Sequence, residues 1–256
     1  MAKFETLPEG CIATILSHTT PIDACRLSLV SKTFRSAADS DTVWNKFLQS
    51  DTPFMNYIFS HSSTLANLPT KKALYMSLCD CPLIIRYGQK SFQLVRKNGK
   101  RCFMLAARYL HFFWSFPNEY LEWTSEPDSR FPEIAKLRNV SMLKIYGMIN
   151  TITLSSSTWY EVYVVFKKTD IWVVEHEPVE FLVGIQGYNN VSVDRNLEWQ
   201  YPSVRSDGWL EIKMGEFFNL RHEDLHMYVY EIKGCNWTSS LSLEGIEVRP
   251  MHMHDT

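Results

Sequence analysis

The sequence predicts an α+β chain, with a small helical module first and an antiparallel β-sandwich after it. Three observations carry this. Helix start signals and apolar residues at three- and four-residue spacing fill the first half-hundred positions. From about Ser91 the pattern turns to period-two alternation and β-branched runs. The composition, 45% hydrophobic and 21% charged over 256 residues, is that of a globular chain.

The helices come first. Thr6-Leu7-Pro8-Glu9 has the spacing of a capping box, and Ile12, Ile15 and Leu16 follow on one face. Thr20-Pro21-Ile22-Asp23 opens a second helix, whose residues Leu27, Val30 and Phe34 recur at three and four. Asp39 and Asp41 offer caps for a third, carrying Val43, Trp44, Phe47 and Leu48. Three helices in about 45 residues cannot bury a self-sufficient core without a neighbour or a partner. Pro53, Pro69 and Pro82 punctuate the next stretch, with one short helix expected from Lys71 to Cys79 around Leu74 and Leu78.

The strands follow. Asn98-Gly99, between Phe92–Val95 and Cys102–Leu105, predicts a hairpin with a type I′ turn. Further strands are expected at 142–149, 160–166, 179–185, 209–214, 225–232 and 241–248. In 209–214, Leu210, Ile212 and Met214 face one way and Glu211 and Lys213 the other. Within the last run the apolar phase shifts at Gly245, which predicts a bulge.

Composition narrows the function. Lys+Arg 26 against Asp+Glu 28 gives a net charge of −2, and no basic run exists, which argues against nucleic acid as the main ligand. No apolar stretch approaches the roughly 20 residues that span a membrane, and the first residues lack the apolar core of a signal peptide. Six cysteines without a Cys-x-x-Cys pair read as free thiols of a reducing compartment, so the sequons at Asn139, Asn190 and Asn236 are chance patterns. No Gly-x-Ser-x-Gly, Gly-rich phosphate loop or His-Glu-x-x-His is present, so no enzyme is expected, and no cofactor or metal. His252 and His254 make a tail pair, too few ligands for a site.

The first 50 residues resemble an F-box. The residues that carry this are Leu7-Pro8-Glu9, Ile12, Ile15-Leu16, the run Leu27 to Lys32, Phe34, Val43-Trp44 and Phe47-Leu48. The resemblance implies docking on the Skp adaptor of a cullin–RING ubiquitin ligase, with Leu7, Pro8, Ile15, Leu16, Val30 and Trp44 as adaptor contacts. Residues 51–89 would connect to a second module at 90–251.

That module resembles the phloem lectins, the phloem protein 2 or Nictaba-like family. The pieces that match include Lys100 to Arg108, Ser129-Arg130-Phe131, Glu133 to Leu137, Val165-Phe166-Lys167, Arg205 to Ile212, Gly215-Glu216-Phe217-Phe218 and Gly245 to Pro250. The resemblance implies a jelly-roll-like β-sandwich, a plant architecture, and a carbohydrate partner such as an N-acetylglucosamine oligomer or N-glycan core. The sugar-binding members use two Trp and two acids, which fall here on Trp114, Leu121, Asp224 and Glu231. Leu121 replaces an indole and removes stacking of about 1 kcal/mol or more, so weakened or altered glycan binding is expected. Trp123 offers a substitute ring, Trp114 also reads as a core residue, and Glu231 also reads as a strand-end residue facing water.

The implied function is substrate recognition within a Skp–cullin–F-box ligase, as a non-catalytic subunit whose sandwich captures a protein or glycoprotein target. It would act in cytoplasm and nucleus. Two alternatives stay open: a lectin without a degradation role, and a peptide-degron receptor whose sugar site is lost.

Overall fold

The computed structural model describes residues 7–48, 53–60, 62, 65, 67–113, 121–138, 144–168, 179–186, 194–196, 202–220, 223–231 and 241–251. The chain divides into two compact units, 1–83 with 92–101, and 84–91 with 102–256.

The first unit is helical: α1 (Glu9–Leu16), α2 (Pro21–Leu27), α3 (Lys32–Asp39), α4 (Asp41–Leu48), α5 (Pro53–Ser60) and α6 (Lys71–Asp80). Pro8 stands at the N-cap of α1 with no side-chain cap, and Thr6 of the expected capping box lies outside the described residues. Thr20 caps α2 as predicted, accepting from Asp23 N–H with Pro21 at the first position. The single helix expected through Leu27, Val30 and Phe34 is two helices. Leu29 and Val30 N–H bond back to Arg26 and Leu27, and the Ser31 hydroxyl then caps α3 by accepting from Phe34 N–H. A serine that satisfies an orphan donor here outweighs the periodicity that runs through it. Ser40, not Asp39 or Asp41, stands before α4 and accepts from Thr42 N–H. Asp39 instead pairs with Lys72 at 2.7 Å, and Asp41 accepts from Lys71 N–H at 2.9 Å.

The core of this unit is Ile12, Leu16, Ala24, Ala37, Val43, Trp44, Leu48, Leu74, Tyr75 and Leu78, all buried. α5 and α6 therefore supply what the first four helices lack. The hairpin tip 92–101 joins the same unit. Tyr75 hydroxyl donates to Val95 and Arg96 carbonyls at 3.2 and 3.1 Å, and Gln93 Nε2 donates to Cys79 carbonyl at 2.8 Å. Its turn is not type I′: Val95 and Lys100 close a four-residue loop, and only Gly99 has positive φ, +70°. The longer loop needs one left-handed residue where a two-residue turn needs two.

The second unit is a pair of antiparallel sheets. Fourteen strands of the described residues run β1 (Leu83–Ile85), β2 (Lys90–Leu94), β3 (Arg101–Ala106), β4 (His111–Phe113), β5 (Leu121–Thr124), β6 (Ile134–Leu137), β7 (Lys144–Asn150), β8 (Thr158–Lys168), β9 (Val179–Gln186), β10 (Asp194–Asn196), β11 (Ser203–Val204), β12 (Leu210–Asn219), β13 (Asp224–Glu231) and β14 (Leu241–Pro250). β1 and β2 lie where the two units divide. One sheet has the order β3-β14-β8-β12-β11, with β6 and then β5 continuing from β14; the other is β10-β9-β13-β7-β4. Leu105 of the first sheet and Leu110 come so close to Gly147 of the second that a Cβ there would sit 2.8 Å from Leu110. Between the sheets lie Leu225, Met227 and Val229 of β13 and Ile145 and Ile149 of β7, alternating with more exposed neighbours. The predicted bulge is present: the β14–β8 register shifts between Leu243 and Gly245. A Cβ at Gly245 would lie 1.9 Å from Leu105 carbonyl oxygen, so only glycine fits.

Candidate functional site

In the helical unit the sequence pattern decides which apolar residues stay in water. On α1, Ile12, Ala13 and Leu16 turn inward, which leaves Ile15 exposed at 43%. The tight turn after α2 lifts Leu29 and Val30 out to 76% and 62%. Leu7 and Pro8, just before α1, are also exposed. Of the six expected adaptor contacts, Leu7, Pro8, Ile15 and Val30 therefore present surface. Leu16 and Trp44 do not. Leu16 is core, and Trp44 is buried with its indole N–H on Ala38 carbonyl at 2.7 Å and its ring edge-on to Phe47. Leu29, absent from the expected set, is the most exposed of the group, and its signal was the Ser31 cap that ends the helical phase before it.

In the sandwich, three of the four expected sugar positions fall among the described residues, and these three are spread over two sheets. Trp114 lies outside the described residues. Leu121 is half-buried on β5, paired with Leu137 in the first sheet. Asp224 and Glu231 are the two ends of β13 in the second sheet. Seven steps of about 3.3 Å set their backbones about 23 Å apart, and an odd number of steps puts them on opposite phases of the strand. One sugar ring cannot span them. Asp224 accepts from Asn150 Nδ2 at 2.9 Å, a neighbour on β7. Trp123 packs edge-on to Phe112 and lies under the Arg108 guanidinium at 4.2 Å, so one of its ring faces already holds a cation.

Asp224 does share its strand phase with His226, Tyr228 and Tyr230, on the outer side of the second sheet. Directly across the strands, His111, Tyr146 and Tyr228 form one row. Tyr146 and Tyr228 stack at 4.8 Å, Tyr228 and Tyr230 at 5.5 Å, and Tyr146 hydroxyl bonds His226 Nδ1 at 2.9 Å. Burial, then the neighbouring Tyr228 and Asp224, pushes the Tyr146 phenol up, so it stays protonated. Rings stacked on one another offer edges and hydroxyls, not the open face on which a pyranose stacks. Sequence reading passed over this row because its members come from three separate strands.

The motifs that carried the phloem-lectin resemblance converge elsewhere. Arg130, Arg205, Glu211, Glu247 and Arg249 form one ionic network on the outer side of the first sheet. Arg205 Nη1 donates to Glu211 at 2.8 Å and Glu247 at 2.6 Å. Arg249 grips Glu211 with both nitrogens at 2.8 and 2.7 Å, and Arg130 reaches the other oxygen of Glu247 at 3.1 Å. Glu211 and Glu247 are 8% and 6% exposed. Burial alone would raise the Glu247 carboxyl; the charges of Arg130, Arg205 and Arg249 more than offset this and hold it below the ordinary range. On the same face of the sheet, Trp209 packs with Met104, Phe131, Ile134 and Val165 in a buried cluster, with Met104 directly across from Glu247 and Val165 from Glu211. These motif residues hold the fold, and no ligand is needed to explain them.

A helical module that leaves apolar side chains in water, followed by a two-sheet sandwich, defines a two-part binding protein. The F-box domain model matches residues 4–46 and the phloem protein 2 model matches 100–250. The chain belongs to the phloem protein 2 family, in a form that carries an N-terminal F-box. It is 40% identical to the putative F-box protein PP2-B12 of Arabidopsis thaliana over 98% of this chain and 99% of that one. It is 37% identical to the Arabidopsis F-box protein PP2-B10, over 97% and 94%. Among solved structures, the xylan-binding CBM22-1 domain of a Paenibacillus barcinonensis xylanase matches 57% of this chain and 87% of its own at 12% identity, with a TM-score of 0.33.

Proposed function

We propose that this chain is the substrate-recognition subunit of a Skp–cullin–F-box ubiquitin ligase, with no catalytic step of its own. The observation that carries it is the set Leu7, Pro8, Ile15, Leu29 and Val30, exposed on the unit that matches the F-box. Exposed apolar residues of this kind are accounted for by a partner surface. The sandwich holds a target and raises its effective concentration beside the ubiquitin-loaded enzyme that the cullin–RING assembly brings. The site of action is cytoplasm and nucleus.

The target is read as a protein and not as its sugar. Leu121, Asp224 and Glu231 are dispersed over two sheets, and the tyrosine row has its ring faces occupied. Co-purification of the chain with a plant Skp adaptor tests the first part. Leu7→Ala with Pro8→Ala is expected to abolish it while the sandwich stays folded; full binding by that variant would remove the F-box reading. A glycan array probed with the adaptor complex tests the second. Binding of N-acetylglucosamine oligomers that Trp114→Ala abolishes would restore the lectin reading.

A further inference from the structure

The sandwich holds a pair of cations that no carboxylate answers among the described residues. Lys90 Nζ lies 4.3 Å from the centre of the Tyr109 ring, and the Arg86 guanidinium lies 5.6 Å from the same centre. Arg86 Nη1 also reaches Tyr109 hydroxyl at 3.4 Å. Lys90 is half-buried. Its burial, and then the nearby charge of Arg86, lowers the Lys90 pKa, while Tyr109 works the other way. Elsewhere in the same unit, half-buried Arg130, Arg205, Lys213 and Arg249 each have a carboxylate within 3.5 Å, while half-buried Lys136 has none among the described residues. Arg108, next to Tyr109 in sequence, is taken by Glu133 at 3.4 Å.

The backbone beside this pair is strained. Arg86, Tyr87 and Gly88 have successive φ values of +54°, +57° and +85°. Two non-glycine residues in a row in the left-handed region are uncommon, and such outliers gather at ligand clamps. The turn is closed by Gln89 N–H on Arg86 carbonyl at 3.2 Å. It leaves the Tyr87 ring wholly in solvent, at 103% exposure. An apolar ring on a strained turn, beside two uncompensated cations and a phenol, is a recognition surface of mixed character.

We infer that Arg86, Lys90 and Tyr109 bind the phosphoryl group of a phosphorylated segment of the target protein, with Tyr87 packing on the residue beside it. A phosphoryl dianion matches two cations where one carboxylate matches one, and it takes a forked guanidinium, an ammonium and a hydroxyl as donors. An open aromatic ring next to the anion site suits a peptide side chain. The inference rests on the sandwich being the target-capturing module.

The test is fluorescence anisotropy of the chain bound to its Skp adaptor, with a degenerate phosphoserine peptide pool and the same pool unphosphorylated. The phosphorylated pool is expected to bind at least ten-fold more tightly. Arg86→Gln with Lys90→Gln should erase that preference, and each single change should reduce it. Arg26→Gln with Arg35→Gln, which removes the same charge from the helical unit, should leave it intact. Equal binding of the two pools overturns the inference, as does a preference that survives the double change or falls equally in the control. An adapted arm with N-acetylglucosamine 6-phosphate as competitor reads the anion's source: displacement of the peptide pool by this sugar phosphate more strongly than by O-phosphoserine overturns the peptide assignment. Because adaptor binding is measured first, its loss speaks against the F-box reading alone, and a bound complex without phosphate preference speaks against this inference alone.

Discussion

The two units treat costly side chains in opposite ways. The helical unit leaves Ile15, Leu29 and Val30 in water. The sandwich takes Glu211 and Glu247 out of water and surrounds them with three guanidiniums. An exposed apolar residue contributes nothing to its own unit and matters only to something that covers it. A buried carboxylate costs several kcal/mol unless it is well paired, so its network is committed to the fold. The difference teaches where to look for function. In the helical unit the family-matching residues split between surface and core. In the sandwich, Arg130, Arg205, Glu211, Glu247 and Arg249 all come from matching motifs, yet their charges are paired with one another, with Arg249 Nε the one atom of these five side chains buried without a partner among the described residues. Arg86 and Lys90, which no carboxylate pairs among the described residues, lie outside them.

The sharpest way to break this comparison is to open the network. Glu247→Ala takes away the carboxylate that the Arg130 guanidinium bonds, and leaves Arg205 with Glu211 and Asp207 and Arg249 with Glu211. The expected loss is about 3–5 kcal/mol, read as a fall in the urea midpoint. A loss under about 1 kcal/mol would mean that the network is a solvated surface feature. Next in size is Leu16→Ala, expected to cost about 2–5 kcal/mol as a buried leucine. Its neighbour Ile15→Ala should change stability by no more than about 0.5 kcal/mol. The adaptor pull-down should rank the same two residues differently, because Ile15 presents surface and Leu16 does not. If both variants lost stability alike, Ile15 would belong to the core of its own unit.

Much of the fold was legible. The Thr20-Pro21 start, the Lys71 helix, the eight longer strands and the Gly245 bulge follow from local chemistry: a cap, a fixed φ, a period of two, a place with no room for Cβ. The short strands β1, β4, β5, β6, β10 and β11, of two to four residues, are too brief for a period of two to show. What failed was local too. Ser31 breaks the Leu27–Val30–Phe34 face because its hydroxyl competes for the backbone, and periodicity does not register that competition. The type I′ turn failed because a four-residue loop also accommodates Asn-Gly. The site was far less legible. Asp224 and Glu231 are seven apart in sequence, and only strand geometry shows that this separates them by about 23 Å. Arg86, Lys90 and Tyr109 meet across a strained turn that no motif signals. Glu211 alternates with apolar residues as a surface residue would, and its burial depends on Arg205 and Arg249 reaching it from another loop and strand.

The smallest expected effect separates two carboxyls on one strand. Glu247 has a folded-state pKa below its unfolded value, so its contribution is present at neutral pH. It is lost as pH falls from the ordinary carboxylate range through that lowered value. Glu244, three residues earlier, is raised instead. Burial dominates, and Arg130 N–H and Ser129 hydroxyl, at 2.8 and 3.0 Å on the same oxygen, offset it only in part. Its other oxygen is buried and has no partner among the described residues. A raised carboxyl costs stability above its unfolded pKa, and the cost disappears at low pH where both states are protonated. Glu244→Gln keeps an acceptor for Ser129 and Arg130 and removes the charge. Its denaturation midpoint should therefore rise at pH 7, with the gain shrinking toward pH 4. Glu247→Gln should do the reverse, losing most at pH 7 and least in acid. If Glu244→Gln lowered the midpoint at pH 7, Glu244 would be a working member of the ionic network, held charged by it.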